Sequence, residues 1–325
     1  MPRCRIVPQV GHRYRILIDR REVTSWNFDS RDPRPCFHPI VAPGGTLLTR
    51  MGHPGAPDHD HHRSVWFAHN QVMGVNFWAD GTGATIRQTG WLAFEEGDER
   101  AALAVDLVWT DGHDPQPLLA QRLIALVRPD GTSAWQLEIA STFTAPRGTI
   151  ELGQSNFGVF AVRVAADLSP VFGGGTLTGS DGAVGEANLF ERHQRWIDCS
   201  GRAEPTSPFE APAVPKSTTD VGSDRAAATV DLAGLTLFDH PSNPQYPSRW
   251  HVRDDGWFAP STTGQAGIVI DAEHPLTIRH LLDLHDGTLD VERAERIAER
   301  FARSPVPRVI DSTRPHRRHE IVVGD

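Results

Sequence analysis

The chain has 325 residues, 39% of them hydrophobic and 22% charged, with three cysteines and a formal net charge of -9. This composition is typical of a water-soluble globular protein, the negative charge argues against a nucleic-acid partner, and the isolated Cys4, Cys36 and Cys199 form no disulfide framework. No apolar run approaches the roughly 18 residues of a membrane span and the first residues lack a signal core, so the sequence predicts a cytoplasmic protein with no membrane or nucleic-acid partner.

The predicted elements are mainly strands, and the first two lie at Arg13 to Asp19 and Ala102 to Asp111. The clearest hairpin turns at Pro129-Asp130-Gly131, where proline presets φ and glycine tolerates positive φ. After this turn the sequence alternates apolar and polar residues, which predicts a strand with one buried face and one wet face. The apolar residues are Trp135, Leu137, Ile139 and Phe143, and the polar ones are Gln136 and Glu138.

Further strands are predicted at 157–164 and 235–238. Strands that follow one another through turns pair in antiparallel sheets, which pack face to face. We therefore expect an all-β fold, a large antiparallel β-sandwich that forms a single domain over 1–325. The galactose-mutarotase-like supersandwich is one candidate architecture. Residues 202–224 are rich in Pro, Ser and Thr, and they predict a long surface loop rather than an interdomain linker.

One helix is predicted near the C-terminus, at 288–304, where apolar residues recur at helical spacing. Pro305 ends the pattern because proline cannot continue a helix. We expect this helix to brace the sandwich, and we expect residues 311–325 to form a solvated tail. The apolar stripe of the helix consists of Val291, Ala294, Ile297, Ala298 and Phe301.

A histidine-rich stretch, "DHDHHRSVWF", occupies Asp58 to Phe67. If the chain is extended there, His59 and His61 share one face, and an H-x-H pair can hold a divalent metal ion with a third ligand from Asp58 or His38. A neutral imidazole beside a carboxylate also suits general acid–base catalysis. A hydrogen-bonded structural knot or a polar His-rich loop would explain the same residues without any ligand.

A second polar and aromatic stretch, "FDHPSNPQYPSRWHVRDDGWF", runs from Phe238 to Phe258. Asp239 and His240 lie at the end of a predicted strand, where sites are often built. The amide, guanidinium and indole groups that follow suit a sugar, because an aromatic ring covers its C–H face while polar groups bind its hydroxyls. The alternative is a proline-stiffened loop whose Trp250 belongs to the core.

Two more candidates lie in the middle of the chain. Asn156 precedes the predicted strand 157–164, and Glu186 occupies a Gly-rich turn. A glutamate at that place can serve as an acid or base opposite the histidines, or it can be an ordinary solvated side chain. The glycine run that begins at Phe172 lacks the G-x-G-x-x-G pattern between a strand and a helix, so it predicts turns rather than a dinucleotide site.

Five segments resemble a bacterial family known as methane oxygenase PmoA-like: "RPCFHPIVAPGGTLLTR", "DHDHHRSVWFAHNQVMGVNFW", "NFGVFAVRVAADL", "GEA…RWIDCSG" and "FDHPSNPQYPSRWHVRDDGWF". The resemblance spans roughly Arg34 to Phe258 and departs at Met73, where the family usually carries Asn. It implies a cytoplasmic β-sandwich protein of bacteria that process sugars and glycosides, and it brings no established catalytic residue. The residues that fall on its motif positions are His61, His62, Arg63 and His240.

The expected function is a carbohydrate-active enzyme that acts on a sugar or keto-glycoside by His-based acid–base chemistry, as a lyase, hydrolase or epimerase. The alternatives are a non-catalytic carbohydrate-binding protein and a metal-dependent oxygenase. We expect His62 or His61 to be the base, Glu186 or His240 the acid, and Arg63 the group that stabilises an enolate or alkoxide. The expected substrate-binding residues are His38, Trp66, Asn156, Asp239, Asn243, Arg249 and Trp250.

Overall fold

A computed structural model describes residues 1–52, 59–203 and 231–324. These residues form mainly strands, with two helices, α1 (Glu186–Leu189) and α2 (Val291–Ala302). The first ten strands are β1 (Cys4–Gln9), β2 (Arg13–Ile18), β3 (Arg21–Asn27), β4 (Cys36–Ile40), β5 (Val65–His69), β6 (Thr85–Glu95), β7 (Ala101–Thr110), β8 (Leu119–Pro129), β9 (Ala134–Thr144) and β10 (Ile150–Leu152). The remaining strands are β11 (Ser155–Arg163), β12 (Thr176–Gly179), β13 (Trp196–Ala203), β14 (Asp231–Asp239), β15 (Arg249–Arg253), β16 (Trp257–Thr263), β17 (Ile268–Ile270), β18 (Leu276–Asp286), β19 (Arg308–Asp311) and β20 (His319–Val322).

Two eight-stranded sheets pack against each other around the main hydrophobic core of the described residues. The first sheet has the order β1-β2-β3-β4-β5-β11-β16-β15, and the second has the order β12-β13-β14-β18-β9-β8-β7-β6. Neighbouring strands pair in antiparallel register, as β5 does with β11 and β9 with β18. The expected all-β antiparallel sandwich with one C-terminal helix is therefore confirmed.

Strand β9 shows how the sequence pattern positions the core. Its apolar residues, such as Trp135 and Leu137, point into the space between the sheets, as the alternation predicts. The opposite face is not wet, because Gln136 is only 4% exposed and Glu138 only 1%. Helix α2 lies beside this face, and Arg300 of α2 donates a hydrogen bond to Gln136. The sequence pattern was correct, and the cover over its polar face comes from a distant part of the chain.

Helix α2 is shorter than the predicted 288–304. It begins at Val291 because the side chain of Asp290 accepts a hydrogen bond from the Arg293 N–H and so caps the first turn. Val291 is 51% exposed, so the apolar stripe begins further along the helix. The helix braces the second sheet with Ala294, Ile297 and Phe301, which pack against Trp196, Phe238 and Leu281.

The C-terminal segment differs from the expected tail. Strands β19 and β20 form an antiparallel hairpin, and Ile321 of β20 is buried against Ala93, Ala102 and Ile124. The Ile321 N–H also donates to the Glu95 carboxylate at 2.9 Å. Residues 202 and 203 of the predicted surface loop belong to β13, and residues 204–224 lie outside the described residues.

Among the residues that the structure describes, no helix has both the length and the apolar character needed to cross a bilayer. The cytoplasmic location expected from the sequence stays a prediction.

Candidate functional site

The outward face of the first sheet carries a second aromatic cluster, separate from the main core. Side chains alternate along β5, so Val65 and Phe67 point into the sandwich while Trp66 points outward. Trp257 of β16 and Trp78 of the β5–β6 connection join Trp66 on this face. We call the group His62, Trp66, Trp78, Phe157, His251 and Trp257 the outer aromatic site.

The rings of the outer aromatic site are in mutual contact. His62 stacks on Trp66 with ring centroids 5.4 Å apart, and its centroid lies 5.0 Å from that of Trp257. On the other side of Trp257, His251 lies 4.1 Å away and Phe157 lies 6.0 Å away in a stacked geometry. These aromatic side chains bury a large apolar area and carry indole and imidazole nitrogens into it.

The histidine-rich segment is held over this face by backbone contacts. The His62 N–H donates to the His59 carbonyl at 3.1 Å, which makes a tight turn, and the Arg163 N–H donates to the Ser64 carbonyl at 2.7 Å. The turn brings the His61 and His62 rings to within 4.3 Å, edge to face. His61 is the less buried of the two, so it lies at the rim of the site while His62 lies in its floor.

Arg63 is engaged in ion pairs. Its Nη1 donates to Asp32 at 2.7 Å and its Nη2 donates to Asp80 at 3.0 Å. Asp80 also pairs with the buried Arg34 at 2.9 Å, and Arg34 donates to the His61 carbonyl at 3.0 Å. Both terminal nitrogens of Arg63 are thus occupied by carboxylates, and its observed contacts anchor the histidine segment instead of leaving a fork for an enolate.

Several buried polar atoms of the outer aromatic site make no hydrogen bond within the part of the chain that the structure describes. They include the indole nitrogens of Trp66 and Trp78 and the Nδ1 atom of His62. Neither ring nitrogen of His251 makes a hydrogen bond of good geometry, although the nearby Asn156 backbone partly offsets the lowering of its pKa. Buried polar groups are normally paired, so the unpaired nitrogens of these neighbouring rings are candidates for contacts with a ligand.

Burial controls the charge of these imidazoles. It lowers the pKa of His62 far below its ordinary value, and the nearby His61 and Arg163 lower it further. Burial also lowers the pKa of His251 to about 3, and the charge of Arg253 adds to this effect. Both side chains are therefore neutral at pH 7, and each offers one N–H donor and one acceptor nitrogen.

A buried guanidinium borders the same site. Arg163 of β11 is 0% exposed and lies opposite Trp257 across the β11–β16 pairing. Its Nη1 donates to Asp255 at 2.9 Å, whereas its Nε and Nη2 have no partner among the described residues. Arg163 is close enough to His62 for its charge to lower the pKa of that imidazole.

Glu186 and Asn156 lie near the rim. The Glu186 carboxylate accepts from Arg253 Nη1 at 2.7 Å and from the Asp254 N–H at 2.8 Å. Arg253 lies over the Phe190 ring at 4.4 Å, and Phe190 in turn contacts His251 with centroids 5.0 Å apart. Asn156 directly precedes Phe157 of the site on β11.

His240 lies on the opposite side of the sandwich. Its ring contacts Phe301 of α2, and its Nε2 lies 2.9 Å from Arg279 Nη1. Helix α2 covers the outward face of the second sheet, so both sheets and the core separate His240 from His62. His240 therefore does not share a site with His62, and the stretch from Phe238 to Phe258 reaches the outer aromatic site through His251 and Trp257 instead.

Other expected binding residues also have structural contacts. Trp250 belongs to the main core and donates its indole N–H to the Gln194 carbonyl at 2.8 Å. Asn243 donates to Asp239 at 2.7 Å and to the Arg279 carbonyl at 2.7 Å. These side chains tie the loop after β14 to strand β18, which is the alternative that the sequence left open.

Arg249 and His38 complete the expected set. The Arg249 side chain is exposed, and its backbone bridges to His193. His38 is half-buried on β4, where burial lowers its pKa to about 4 and the Arg13 charge lowers it further. Neither residue has a ring or hydrogen-bond contact with the outer aromatic site among the described residues.

The predicted metal ligands are only partly described. His59 lies with its ring centroid 6.1 Å from that of His61, whereas Asp58 lies outside the described residues. Within 1–52, 59–203 and 231–324, no group of three or more His, Cys, Asp or Glu side chains is arranged to hold a metal ion. The site composed of His59, His61 and Asp58 stays a prediction.

The structure adds residues that the sequence argument did not select. His251, Trp78, Trp257, Phe157 and Arg163 all lie at the outer aromatic site. Strand alternation could have found His251. Trp250 points into the core, and the next side chain along a strand points to the opposite face. Cavities of about 390 Å³ and 730 Å³ lie elsewhere, and ion pairs line them, Arg3 with Asp19 in the first and Arg122 with Asp106 in the second.

The structure thus defines an all-β antiparallel sandwich with an aromatic and histidine-lined site on one outer face. The chain belongs to the family of unknown function DUF6807, whose model matches residues 13–299. This assignment overturns the resemblance to a methane-oxygenase PmoA-like family, because the matching family model is a different one. No curated protein matches the sequence.

Solved structures with some likeness are distant. The heparan sulfate lyase HepC from Pedobacter heparinus is 8% identical, with a TM-score of 0.33 over 96% of this chain. A provisionally named kojibiose phosphorylase from the human microbiome is 9% identical, with a TM-score of 0.32 over 93% of this chain. The chain spans 36% of the length of each. A provisionally named mutarotase (YeaD) from Salmonella typhimurium is 11% identical, with a TM-score of 0.29 over 87% of this chain and 97% of the other.

Proposed function

We propose that the outer aromatic site binds a sugar or glycoside, and that the protein is a carbohydrate-active enzyme in which His61 carries the acid–base step. The observation that supports this most is the group of buried, unpartnered polar atoms on Trp66, Trp78, His62 and His251. Sugar hydroxyls both donate and accept hydrogen bonds, so one ligand can satisfy indole N–H groups and neutral imidazoles together. Phe157 is the partly exposed ring of the site, and its face suits the C–H face of a pyranose ring.

His61 is the preferred acid–base group because of its position. It is half-buried and lies edge-on to His62, with its ring centroid 6.4 Å from that of Trp78. In a lyase or epimerase of a keto-glycoside, His61 would take the proton from the carbon beside the carbonyl, and the electron pair would move into the carbonyl as an enolate. In an epimerase, water would protonate the enolate on the other face. In a lyase, the enolate pair would instead form a C=C bond as the C–O bond to the leaving group breaks, and the leaving oxygen would take the proton from His61.

His62 has a different role in this proposal. Burial keeps its pKa far below 7, and a general base works best with a pKa near the operating pH. His62 therefore acts as a neutral hydrogen-bonding group in the floor of the site. Arg63, with Asp32 and Asp80 on its two terminal nitrogens, holds the histidine segment in place.

A non-catalytic carbohydrate-binding protein is the second candidate. The low pKa values of His62 and His251 favour it, because two buried neutral imidazoles serve binding better than proton transfer. The two candidates share the site and differ only in whether His61 turns a ligand over.

The test is a screen of glycosides and 3-keto-glycosides in which products are read by mass spectrometry. His61→Ala should lower kcat by about 10²-fold or more, with a small change in KM. His274→Ala is the matched control, because His274 is an exposed histidine paired with Asp271 at 3.0 Å, and it should leave turnover unchanged. Binding without turnover by the unaltered protein would favour the second candidate, and binding of no sugar would remove both.

A further inference from the structure

We propose that the ligand of the outer aromatic site is a sugar acid, whose carboxylate binds the Nε and Nη2 edge of Arg163. This inference rests on the proposed sugar site and specifies the substrate class. Arg163 is 0% exposed, yet only its Nη1 has a partner, the Asp255 carboxylate at 2.9 Å. Its Nε and Nη2 make no hydrogen bond within the described residues.

The two unpartnered nitrogens form one edge of the guanidinium. The Nε–H and one Nη2–H bond point in the same direction, parallel to each other, and they match the two oxygens of one carboxylate. An unpaired buried charge is costly, and Asp255 supplies a hydrogen bond to a different nitrogen. A second carboxylate would therefore complete the hydrogen bonding of Arg163.

The strand pairings and the effect of its charge on His62 place Arg163 beside the proposed sugar site. Its strand position lies opposite Trp257, and its backbone N–H donates to Ser64, two residues after His62. The small Ala161, on the same face of β11, lies opposite Trp66 across the β5–β11 pairing. A ligand that rests on the aromatic rings would thus reach the guanidinium with a carboxylate at one end of the sugar.

The net charge around Arg163 is close to zero. Arg50 donates to the Asp255 backbone carbonyl at 3.1 Å, and the charges of both Asp255 and Asp167 act on it. The positive charges of Arg50 and Arg163 are thus balanced by the negative charges of Asp255 and Asp167. Selectivity for an acid would come from the unfilled edge of Arg163 rather than from a broad positive field. The two N–H groups on the open edge of the Arg163 guanidinium match the two oxygens of a carboxylate. A phosphate has further oxygens and more charge, and it therefore needs more hydrogen-bond donors.

The first experiment measures binding to the intact protein by calorimetry with three matched pairs of sugars. The pairs are glucuronate with glucose, galacturonate with galactose, and mannuronate with mannose. In at least one pair the acid should bind about tenfold tighter or better, as expected for a charge-assisted, bidentate contact. If the neutral sugar binds as tightly as the acid in all three pairs, the inference is overturned while the sugar site stands. If none of the six binds while a neutral glycoside of the screen does, the inference is overturned, and if no sugar or glycoside binds at all, the proposed sugar site itself fails.

The second experiment uses Arg163→Lys, which keeps the positive charge beside Asp255 and removes the parallel pair of N–H donors. Affinity for the preferred acid should fall about tenfold, and affinity for its neutral counterpart should change by less than about twofold. An equal loss for both sugars would contradict the inference.

The matched control is Arg122→Lys, since Arg122 is a strand arginine that pairs with Asp106 on the other sheet. It should change neither affinity. Thermal unfolding of each variant checks its fold, and the sugar pairs measured on the unaltered protein decide the question if Arg163→Lys does not fold.

Discussion

The two outer faces of the sandwich contain the same kinds of side chain but use them differently. Each face buries an arginine, a histidine and several aromatic rings against its sheet. On the second sheet, Arg279 is 1% exposed, and its terminal nitrogens contact Glu138, Ser304 and His240 at 2.6 to 2.9 Å. On the first sheet, Arg163 is 0% exposed and has one hydrogen-bond partner for its side chain among the described residues.

The difference separates a hydrogen-bonded structural network from the face on which we propose a binding site. Under α2, both terminal nitrogens of Arg279 and both carboxylate oxygens of Glu138 are paired by protein, and only the Nε of Arg279 is not, so that face holds the helix onto the sheet. At the outer aromatic site, buried indole and imidazole nitrogens stay unpaired, which costs folding free energy. Residue type and burial alone do not distinguish the two faces, whereas the count of satisfied hydrogen bonds does.

The largest expected effect comes from replacing the two buried arginines by methionine. Arg279→Met should lower the free energy of unfolding by about 3 kcal/mol, because it removes a partner of the buried Glu138, which then keeps only Arg128. Arg163→Met should cost no more than about 1 kcal/mol, because Asp255 has a 26% exposed side chain and regains water. Urea unfolding followed by circular dichroism measures both values. Equal losses would contradict the contrast between the faces.

A smaller effect concerns the pH dependence of stability. The pKa of His251 falls from 6.5 in the unfolded chain to about 3 in the folded protein. Its contribution to stability is therefore present above pH 6.5 and is lost as the pH falls toward 3. His251→Phe should remove about 2 kcal/mol of the destabilisation between pH 6.5 and pH 5, at about 1.4 kcal/mol per unit.

The same variant should leave stability at pH 7 little changed. Phenylalanine fits the neighbouring Trp257, Phe157 and Phe190 rings, and neither nitrogen of His251 has a hydrogen bond of good geometry to lose. Chemical unfolding at pH 7, 6 and 5 makes the comparison. An unchanged acid slope would show that His251 is not held neutral by burial.

The sequence predicted those parts of the fold that depend on local pattern. Alternation in β9 and the helical spacing of α2 are readable because each lies within about a dozen residues. The cover over Gln136 and Glu138 was missed because it comes from a helix more than a hundred residues away. The hairpin of β19 and β20 was missed because each strand has only four residues, too few to show a period.

The candidate site was only partly readable for a similar reason. His61, His62 and Trp66 are neighbours in sequence, so their clustering is visible in a short stretch. His240 was grouped with them by residue type, although the sheet order places it on the other side. Arg163 could have been found from the sequence, because it is the single charged residue in the otherwise apolar predicted strand 157–164. A charged side chain in a buried strand needs a partner.

The smallest expected effect compares two buried tryptophans, one in each environment. Trp66 and Trp250 are both 0% exposed, but the Trp250 indole donates to the Gln194 carbonyl at 2.8 Å and the Trp66 indole has no partner among the described residues. Trp250→Phe should therefore cost about 1 kcal/mol more than Trp66→Phe, because it breaks a hydrogen bond and leaves a buried carbonyl unpaired. If the proposed sugar site is right, Trp66→Phe should instead weaken sugar binding, because the N–H that would donate to the ligand is lost. Urea unfolding and calorimetric titration of both variants decide the point, and an equal cost for the two would mean that the Trp66 N–H is already satisfied in the free protein.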